Sequence, residues 1–307
     1  MIVGSLVKRL PAEAIGRVAG RVLFAFAPAA RRVIRSNLAF AFPERTPAEI
    51  EALRLGVERH YGRLLVELLQ MGFFEPGDIR CRVRFSGLER ATRAVGLTRG
   101  FIAVSAHLGN WELGMQVLPA CFGRPLTAVA KKFKRGWVEN YLHRTRTRFG
   151  SRILYKKGAL AEMTRIVRDG GVLAILVDMA RRKDGVEVRF FGRRATATPA
   201  AAMLALRCRC PVLPVFCLHE ADGTFAVRIE EPLEMLRTGD LRGDILMNTQ
   251  RITEVVEKMI RRHPEQWHWL MRRWKEFHPE LYARAGRGGP GESPPHGEGL
   301  AGGRGSP

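Results

Sequence analysis

Hydrophobic residues near the start of the chain recur every three or four positions, the spacing of one face of an α-helix. Within residues 12–27 they are interrupted by Arg17 and Arg21, four positions apart, so this segment is predicted to form an amphipathic helix. At about 16 residues it is shorter than the ~20 residues that cross a bilayer. We expect it to lie in a membrane interface with its arginines at the headgroups. The alternative is an ordinary helix packed on the core.

A second helix is predicted to begin at Pro47 and extend to about Gly72, because Thr46 and Glu49 supply a cap and an acidic first turn. Farther along, short apolar or alternating runs predict strands at residues 82–86, 101–104, 126–130, 172–177, 211–217 and 225–229. Helical patterns cover residues 111–120, 137–149, 160–168, 200–207 and 241–262. This alternation predicts an α/β fold with a mixed, largely parallel sheet flanked by helices on both faces.

The chain divides into three predicted parts. Residues 1–45 carry eight Lys or Arg and two Glu, and this net charge of +6 favours an N-terminal segment that associates with an anionic membrane. Residues 46–285 form the folded domain. Residues 286–307 are mostly Gly, Pro, Ser, Glu and Arg, a composition that cannot bury apolar surface, so this tail is predicted to be disordered.

The overall charge narrows the choice of partners. The 307 residues include 51 Lys and Arg against 30 Asp and Glu, a net charge of +21. Nucleic acid, acidic lipid and phosphorylated cofactors are all compatible with such a surface, although a GC-rich genome also enriches arginine. The densest basic run, residues 131–157, contains ten Lys or Arg and one acid. The 46% of hydrophobic residues argues against both wholesale disorder and a polytopic membrane protein.

Five cysteines are an odd number in a chain too large to need disulfides, so reduced thiols in the cytosol are expected. Cys208 and Cys210 lack a second ligand pair at zinc spacing, and no metal is expected. The N-terminus lacks a small-residue cleavage site, so export is not expected either.

The most informative residues follow the strand predicted at 101–104. His107 stands at its carboxyl end, Gly109 and Asn110 mark a turn, and Glu112 falls in the first turn of the next helix. Open α/β sheets bind ligands at this edge. Glu112 is close enough in sequence to accept a hydrogen bond from the imidazole, which would raise the basicity of the other ring nitrogen. A structural histidine beside an unrelated helix-capping glutamate has the same spacing.

Such a pair suits direct activation of a hydroxyl rather than a covalent intermediate. Ser105 lies two residues from His107 on an extended strand and is a poor candidate for a nucleophile.

The segment from His107 to Glu112 resembles the His-x-x-x-x-Asp/Glu signature of lysophospholipid acyltransferases, in the glutamate form found in bacterial lipid A late acyltransferases. Three further motifs resemble the same family in the same order. They are residues 37–43 (Asn-Leu-x-x-x-Phe-Pro), residues 190–192 (Phe-Phe-Gly, followed by Thr196 and Thr198) and residues 264–273 (Pro-Glu-Gln-x-x-Trp-x-x-Arg-Arg). The resemblance is interrupted at residues 179–182, because these residues differ from those that commonly follow the aspartate corresponding to Asp178 in relatives.

The resemblance implies a fold like that of glycerol-3-phosphate acyltransferase and a set of site residues. His107 and Glu112 would be catalytic, as general base and orienting carboxylate. Contacts with substrate are expected from Arg148, Asp178, Lys131, Lys132 and Asn110. No metal or cofactor is implied beyond a co-substrate, acyl-acyl-carrier-protein or acyl-coenzyme A.

The implied reaction moves a fatty acyl chain from that thioester to a hydroxyl of a phosphorylated membrane glycolipid, most often a lipid A precursor. The same signatures also accompany mannosylated phosphoinositides as acceptors in mycobacteria. The implied partners are acyl carrier protein, inner-membrane lipid and the glycolipid, with no nucleic acid, at the cytoplasmic face of the cell inner membrane.

The alternative is a basic, non-catalytic protein that binds nucleic acid or a membrane surface. It explains the charge but not the arrangement of strand, histidine, turn and glutamate. A hydrolase is disfavoured because the chain lacks a Gly-x-Ser-x-Gly elbow.

Overall fold

The computed structural model describes residues 2–97, 100–155, 159–181 and 183–283. The chain begins with α1 (Ile2–Lys8), α2 (Ala12–Ala25), α3 (Pro28–Ala41) and α4 (Pro47–Met71). Next come α5 (Pro76–Arg82), β1 (Val83–Ser86), α6 (Leu88–Leu97), β2 (Phe101–Ser105), α7 (Trp111–Phe122), β3 (Leu126–Ala130) and α8 (Gly136–Thr147). Then follow β4 (Arg152–Tyr155), α9 (Leu160–Arg168), β5 (Val172–Leu176), β6 (Val186–Phe190), β7 (Arg193–Ala197) and α10 (Ala200–Cys208). The last elements are β8 (Val212–His219), β9 (Phe225–Ile229), α11 (Leu241–Arg262) and two 3₁₀ turns, Pro264–Gln266 and Pro279–Tyr282.

Seven strands form one sheet in the order β1-β9-β8-β2-β5-β3-β4. Neighbouring strands run parallel, apart from the antiparallel pair of β8 and β9. A separate antiparallel hairpin contains β6 and β7. The predicted mixed, largely parallel sheet is therefore confirmed. Because β2, β5 and β3 point the same way, their carboxyl ends meet at one edge, where ligand sites of open α/β sheets lie.

The two faces of the sheet carry separate cores, because successive side chains of a strand point to opposite faces. In β2, Ile102 and Val104 pack with residues of α3, α10 and α11, whereas Phe101 and Ala103 pack with residues of α7. The central strand β8 is buried along its whole length. Helices thus cover both faces, as the sequence pattern predicts.

Helix α2 contacts α4 at a distance that only glycine allows. A Cβ atom on Gly16 would lie 2.4 Å from the backbone nitrogen of Arg63, and one on Gly62 would lie 1.9 Å from the carbonyl oxygen of Gly16. Residues of the N-terminal segment also enter the core, among them Ile34 and Leu38 of α3. In the described part of the chain, no helix combines the length and apolar character needed to span a bilayer.

The predicted helix at Pro47 is α4, and its start has the expected cap. The Thr46 hydroxyl accepts the Glu49 N–H at 3.3 Å, and the Glu49 carboxylate accepts the Thr46 N–H at 2.7 Å. The amphipathic helix predicted at residues 12–27 is α2. The sequence pattern did not predict α1, α3, α5, α6, β4, β6 or β7. The division at residue 45 stays a prediction, and the predicted disordered tail lies outside the described residues.

Candidate active site

The register of two strands brings His107 and Asp178 together. Strands β2 and β5 are parallel neighbours in which Ser105 pairs with Leu176, so the residues two positions beyond each strand lie side by side. The imidazole Nδ1 of His107 lies 2.9 Å from Oδ1 of Asp178, and the backbone N–H of His107 donates to Oδ2 at 2.9 Å. The carboxylate of Asp178 is therefore bound by both the ring and the backbone of His107.

Asp178 is a buried carboxylate with a third donor, the indole Nε1–H of Trp267, which lies 2.8 Å from Oδ2. Burial by itself would raise the pKa of Asp178. The charge of His107 and the hydrogen bonds from His107 and Trp267 outweigh burial and lower this pKa to about 2. An ionised carboxylate accepts the Nδ1 proton, which makes Nε2 the basic nitrogen of His107.

The turn after His107 is fixed by backbone contacts. Gly109 has a φ of +61°, and a Cβ atom there would lie 2.1 Å from the carbonyl oxygen of Cys217. The next residue, Asn110, donates its backbone N–H to the same oxygen at 2.8 Å. The side chain of Asn110 is fully buried, caps α7 by accepting the Leu113 N–H, and donates to Glu67 at 2.8 Å. Asn110 was predicted to contact substrate, which stays a prediction, and its described contacts hold the turn in place.

Glu112 lies in the first turn of α7, as predicted, but its carboxylate faces an arginine. Arg146 donates from Nε and Nη2 to the two carboxylate oxygens, at 2.7 and 2.6 Å. Both side chains are nearly buried. Burial by itself would lower the pKa of Arg146. The hydrogen bonds to Glu112 and the negative charge of Glu112 outweigh burial and raise this pKa. The carboxylate that the structure places on Nδ1 of His107 is thus Asp178, 71 residues away in sequence, rather than the nearby Glu112.

The residues predicted in the basic run have different surroundings. Lys131 and Lys132 are exposed and follow β3, at the same sheet edge as His107. Arg148 is exposed at the end of α8, where Nη1 donates to the carbonyl oxygen of Gly72 at 3.1 Å. Arg146 is the residue of this run that contacts a predicted catalytic side chain. In the sequence, Arg146 is marked only by its place in the basic run, two residues before Arg148.

The C-terminal signature lies beside the histidine turn. The N–H of Gly109 donates to the carbonyl oxygen of Gln266 at 3.0 Å, and the N–H of His268 donates to the carbonyl oxygen of His107 at 2.9 Å. This pairing brings Trp267 to Asp178 and the ring of His268 to within 5.8 Å of the ring of His107, centroid to centroid. No site role was predicted for Trp267 or His268 from the sequence, although both lie inside the family motif at residues 264–273.

The remaining motifs form the support for Trp267. The side-chain amide of Asn37 donates to the carbonyl oxygens of Trp269 and Met271, both at 2.7 Å. The indole of Trp274 donates to Phe190 at the end of β6. Edge-to-face contacts connect Phe190 with Trp267, whose ring centroids are 5.5 Å apart. Motifs far apart in sequence therefore meet behind the residue that binds Asp178.

The five cysteines are free thiols, and burial raises the pKa of Cys210 to about 12. Among the described residues there is no group of three or more His, Cys, Asp or Glu placed to hold a metal ion.

Comparison with known proteins agrees with these motifs. Residues 1–276 match the family described as bacterial lipid A biosynthesis acyltransferase. The lipid A biosynthesis myristoyltransferase of Escherichia coli is 25% identical over 268 residues, which cover 86% of this chain and 80% of the relative. The E. coli lipid A biosynthesis palmitoleoyltransferase is 26% identical over 246 residues, covering 79% and 78%. The phosphatidylinositol mannoside acyltransferase of Mycolicibacterium smegmatis is 26% identical over 235 residues, covering 74% of each chain.

The chain thus has a histidine–aspartate pair at the carboxyl edge of a mixed α/β sheet, and relatives named as acyltransferases match most of its length. The chain belongs to the bacterial lipid A biosynthesis acyltransferase family, and it is an acyltransferase. The family resemblance found in the sequence is confirmed.

Proposed function

We propose that this enzyme moves a fatty acyl chain from a thioester to a hydroxyl of a phosphorylated membrane glycolipid at the cytoplasmic face of the inner membrane. The observation that carries the proposal is the contact of Nδ1 of His107 with the ionised Asp178. The named relatives act on lipid A or on phosphatidylinositol mannoside, which are both acylated glycolipids that carry phosphate. Among them, a lipid A precursor is the acceptor we favour. We also expect the architecture to be of the glycerol-3-phosphate acyltransferase type.

The chemistry needs a base and no covalent enzyme intermediate. Nε2 of His107 takes the proton of the acceptor hydroxyl as its oxygen bonds to the thioester carbonyl carbon. Asp178 stabilises the imidazolium that forms, as the carboxylate of a catalytic triad does. Collapse of the tetrahedral intermediate breaks the carbon–sulfur bond, and the imidazolium returns its proton to the leaving thiolate. The products are the ester and the free thiol of the carrier.

The pair of Glu112 and Arg146 has a separate role in this proposal. An arginine held through Nε and Nη2 is fixed in orientation, and Nη1 can donate to a phosphate or carbonyl oxygen of the substrate. Glu112 then acts by positioning Arg146 beside the α7 N-terminus.

Membrane attachment is supported by apolar side chains that are exposed on α2 and next to it. Val18 is 63% exposed, Val22 is 54% exposed and Phe26 is 86% exposed. Arg17 and Arg21 are exposed on the same helix and can reach phosphate headgroups. We propose that this face lies in the membrane interface, with the opposite face of α2 packed on α4 through Gly16.

The donor is proposed to be acyl carrier protein or coenzyme A, without any further cofactor. Lys131 and Lys132 are exposed cations at the sheet edge that carries His107, and Arg148 is an exposed cation at the end of α8. An acidic carrier protein complements such cations. Charge complementarity of this kind raises the association rate and makes it sensitive to salt.

The test is acyl transfer by the purified full-length protein with detergent-solubilised acceptor. Myristoyl-acyl carrier protein and myristoyl-coenzyme A are each offered with a lipid A precursor and with phosphatidylinositol mannoside, and products are identified by mass spectrometry. The expected result is a gain of one acyl chain on one acceptor, absent from the His107→Ala control. Folded enzyme that acylates neither glycolipid with either donor would contradict the proposed substrate class.

A further inference from the structure

A second imidazole faces the reacting histidine and is absent from the mechanism above. The half-buried ring of His268 lies 5.8 Å from the His107 ring and 6.1 Å from the Trp111 ring, measured between centroids. The backbone of His268 is fixed by its N–H bond to the His107 carbonyl oxygen. The two imidazoles therefore border the same space at the carboxyl edge of the sheet.

The protonation of His268 is set by its neighbours. Nδ1 of His268 lies 2.5 Å from the hydroxyl of Tyr61 on α4. Burial, together with the charge of His107, lowers the pKa of His268 to about 4, so its ring is neutral at pH 7. Burial also raises the pKa of the Tyr61 phenol, which keeps its proton.

The phenol proton identifies the tautomer. A phenol O–H is a better donor than a neutral imidazole N–H, and an imidazole nitrogen is the better acceptor. Tyr61 thus donates to Nδ1 of His268, and the single ring proton of this histidine resides on Nε2.

We propose that His268 is a catalytic residue whose Nε2–H donates a hydrogen bond to the thioester carbonyl oxygen as it becomes an oxyanion. This inference rests on the proposed acyl transfer. The two histidines then have opposite roles set by opposite partners. Asp178 accepts a hydrogen bond from Nδ1 of His107, whose Nε2 is then a proton acceptor, and Tyr61 donates a hydrogen bond to Nδ1 of His268, whose Nε2–H is then a donor.

The chemistry of the reaction calls for such a donor. Attack by the hydroxyl oxygen moves an electron pair onto the carbonyl oxygen, which becomes negatively charged. His107 takes the proton of the hydroxyl but does not stabilise this negative charge. A donor held in place before the reaction stabilises the new charge without reorganising, and its removal typically costs ~10²- to 10³-fold in kcat. A neutral imidazole serves this purpose without neutralising the nearby Asp178, on which the basicity of His107 depends.

The first experiment compares two substitutions of His268 in steady-state transfer of myristate from myristoyl-acyl carrier protein. The acceptor is the glycolipid that the wild-type enzyme acylates in the test of the proposed function. His268→Gln keeps an N–H donor near the Nε2 position, whereas His268→Phe keeps a planar ring to pack against Trp111 without any donor. We expect His268→Phe to lose ~10²- to 10³-fold in kcat with little change in KM, and His268→Gln to retain most of kcat. Equal activity of folded His268→Phe and wild type would overturn the proposal, and so would equal losses in the two variants.

The second experiment tests the role of Tyr61 as a positioning residue. Tyr61→Phe should lower kcat by roughly 2- to 10-fold, the range for one lost hydrogen bond. In the His268→Gln background the same change should have almost no effect, because the imidazole that Tyr61 holds is gone. Equal effects of Tyr61→Phe in both backgrounds would contradict control of His268 by Tyr61.

The two failures are distinguishable. Wild-type enzyme without transfer activity, or His107→Ala with normal activity, would refute the proposed function itself. An active wild type, an inactive His107→Ala and an unimpaired His268→Phe would refute the role of His268 alone.

Discussion

Two of the histidine–carboxylate pairs in the described residues differ in what surrounds them. His107 lies 2.9 Å from Asp178 at the sheet edge, and His219 lies 2.7 Å from Glu67 between β8 and α4. The His107 side chain is 21% exposed, whereas that of His219 is 5% exposed. Similar bonds thus occur at an accessible position and in the interior.

The pairs also differ in the ring nitrogen that contacts the carboxylate. Asp178 is at Nδ1 of His107, whereas Glu67 is at Nε2 of His219. Nδ1 of His219 is buried without a hydrogen-bond partner in the residues that the structure describes. Glu67 is further bound by Arg63 and by Asn110, the residue that caps α7. A histidine–carboxylate pair is therefore a candidate base only when its second nitrogen can be reached, and otherwise it braces the fold.

The largest contrast is expected from removing each histidine. His107→Ala should lower kcat by ~10²- to 10⁴-fold, the range for a lost general base, with nearly unchanged thermal unfolding. His219→Ala should instead destabilise the protein by about 1–3 kcal/mol, because the buried Glu67 carboxylate loses one of its donors, with near-normal turnover of the folded fraction. Transfer rates and urea unfolding curves of both variants check this. Normal transfer by folded His107→Ala would refute the assignment of His107 as the base.

Removing the charge of the carboxylates is expected to have the next largest effect. Asp178→Asn keeps the shape but removes the negative charge that stabilises the His107 imidazolium, so kcat should drop by ~10²- to 10⁴-fold. Glu67→Gln is the matched control, and its main effect should be on unfolding. We would measure kcat against pH for both variants. A Glu67→Gln enzyme with the larger loss of kcat would reverse the roles assigned to the two pairs.

A smaller loss is expected at Glu112, which contacts Arg146. Glu112→Ala should lower turnover less than His107→Ala does, because it releases Arg146 but leaves the base and Asp178 in place. The comparison with Arg146→Ala is informative, since the double variant should be no worse than the worse single variant if the pair acts as a unit. Losses in kcat that multiply would show that Glu112 acts separately, for example directly on His107.

The smallest effects are expected in the exposed basic run. Lys132→Ala should raise KM for acyl carrier protein a few-fold at low salt, and the difference should vanish at high ionic strength. If Arg148 contacts the substrate mainly in the transition state, its loss should lower kcat even at saturating substrate, whereas its exposed position predicts the behaviour of Lys132. Kinetics of Arg148→Ala at two salt concentrations decide between them. No effect of either variant would make the run an ordinary solvated surface.

Local patterns predicted most of the α/β elements, since strands such as β3 and helices such as α11 are bounded by clear changes of period. The hairpin of β6 and β7 was missed because its turn places the bulky Phe191 at a φ of 54°, a conformation that sequence rules assign to glycine or asparagine. Strand β4 is short and only half-buried, so its pattern is weak.

The site shows the limit of local inference more clearly. His107 was identified from the end of a buried strand, and Glu112 was chosen as its partner because it is near in sequence. The contact with Asp178 depends on β5 lying next to β2, an adjacency that no local pattern encodes because β3 and β4 come between them in the chain. The resemblance named Asp178 as a substrate contact but not as the partner of His107, and Trp267 and Arg146 stood only within a motif and a basic run.

The bonds of Asn37 to Trp269 and Met271 have a consequence for biosynthesis. These contacts join residues that are 232 and 234 positions apart, and Trp267 reaches back 89 positions to Asp178. A chain emerging from the ribosome can form α4 and most of the sheet before these partners exist. The carboxylate of the site thus gains its indole donor only after residue 267 has left the ribosome, so a nascent chain, or one terminated before that residue, would fold around an unfinished catalytic centre.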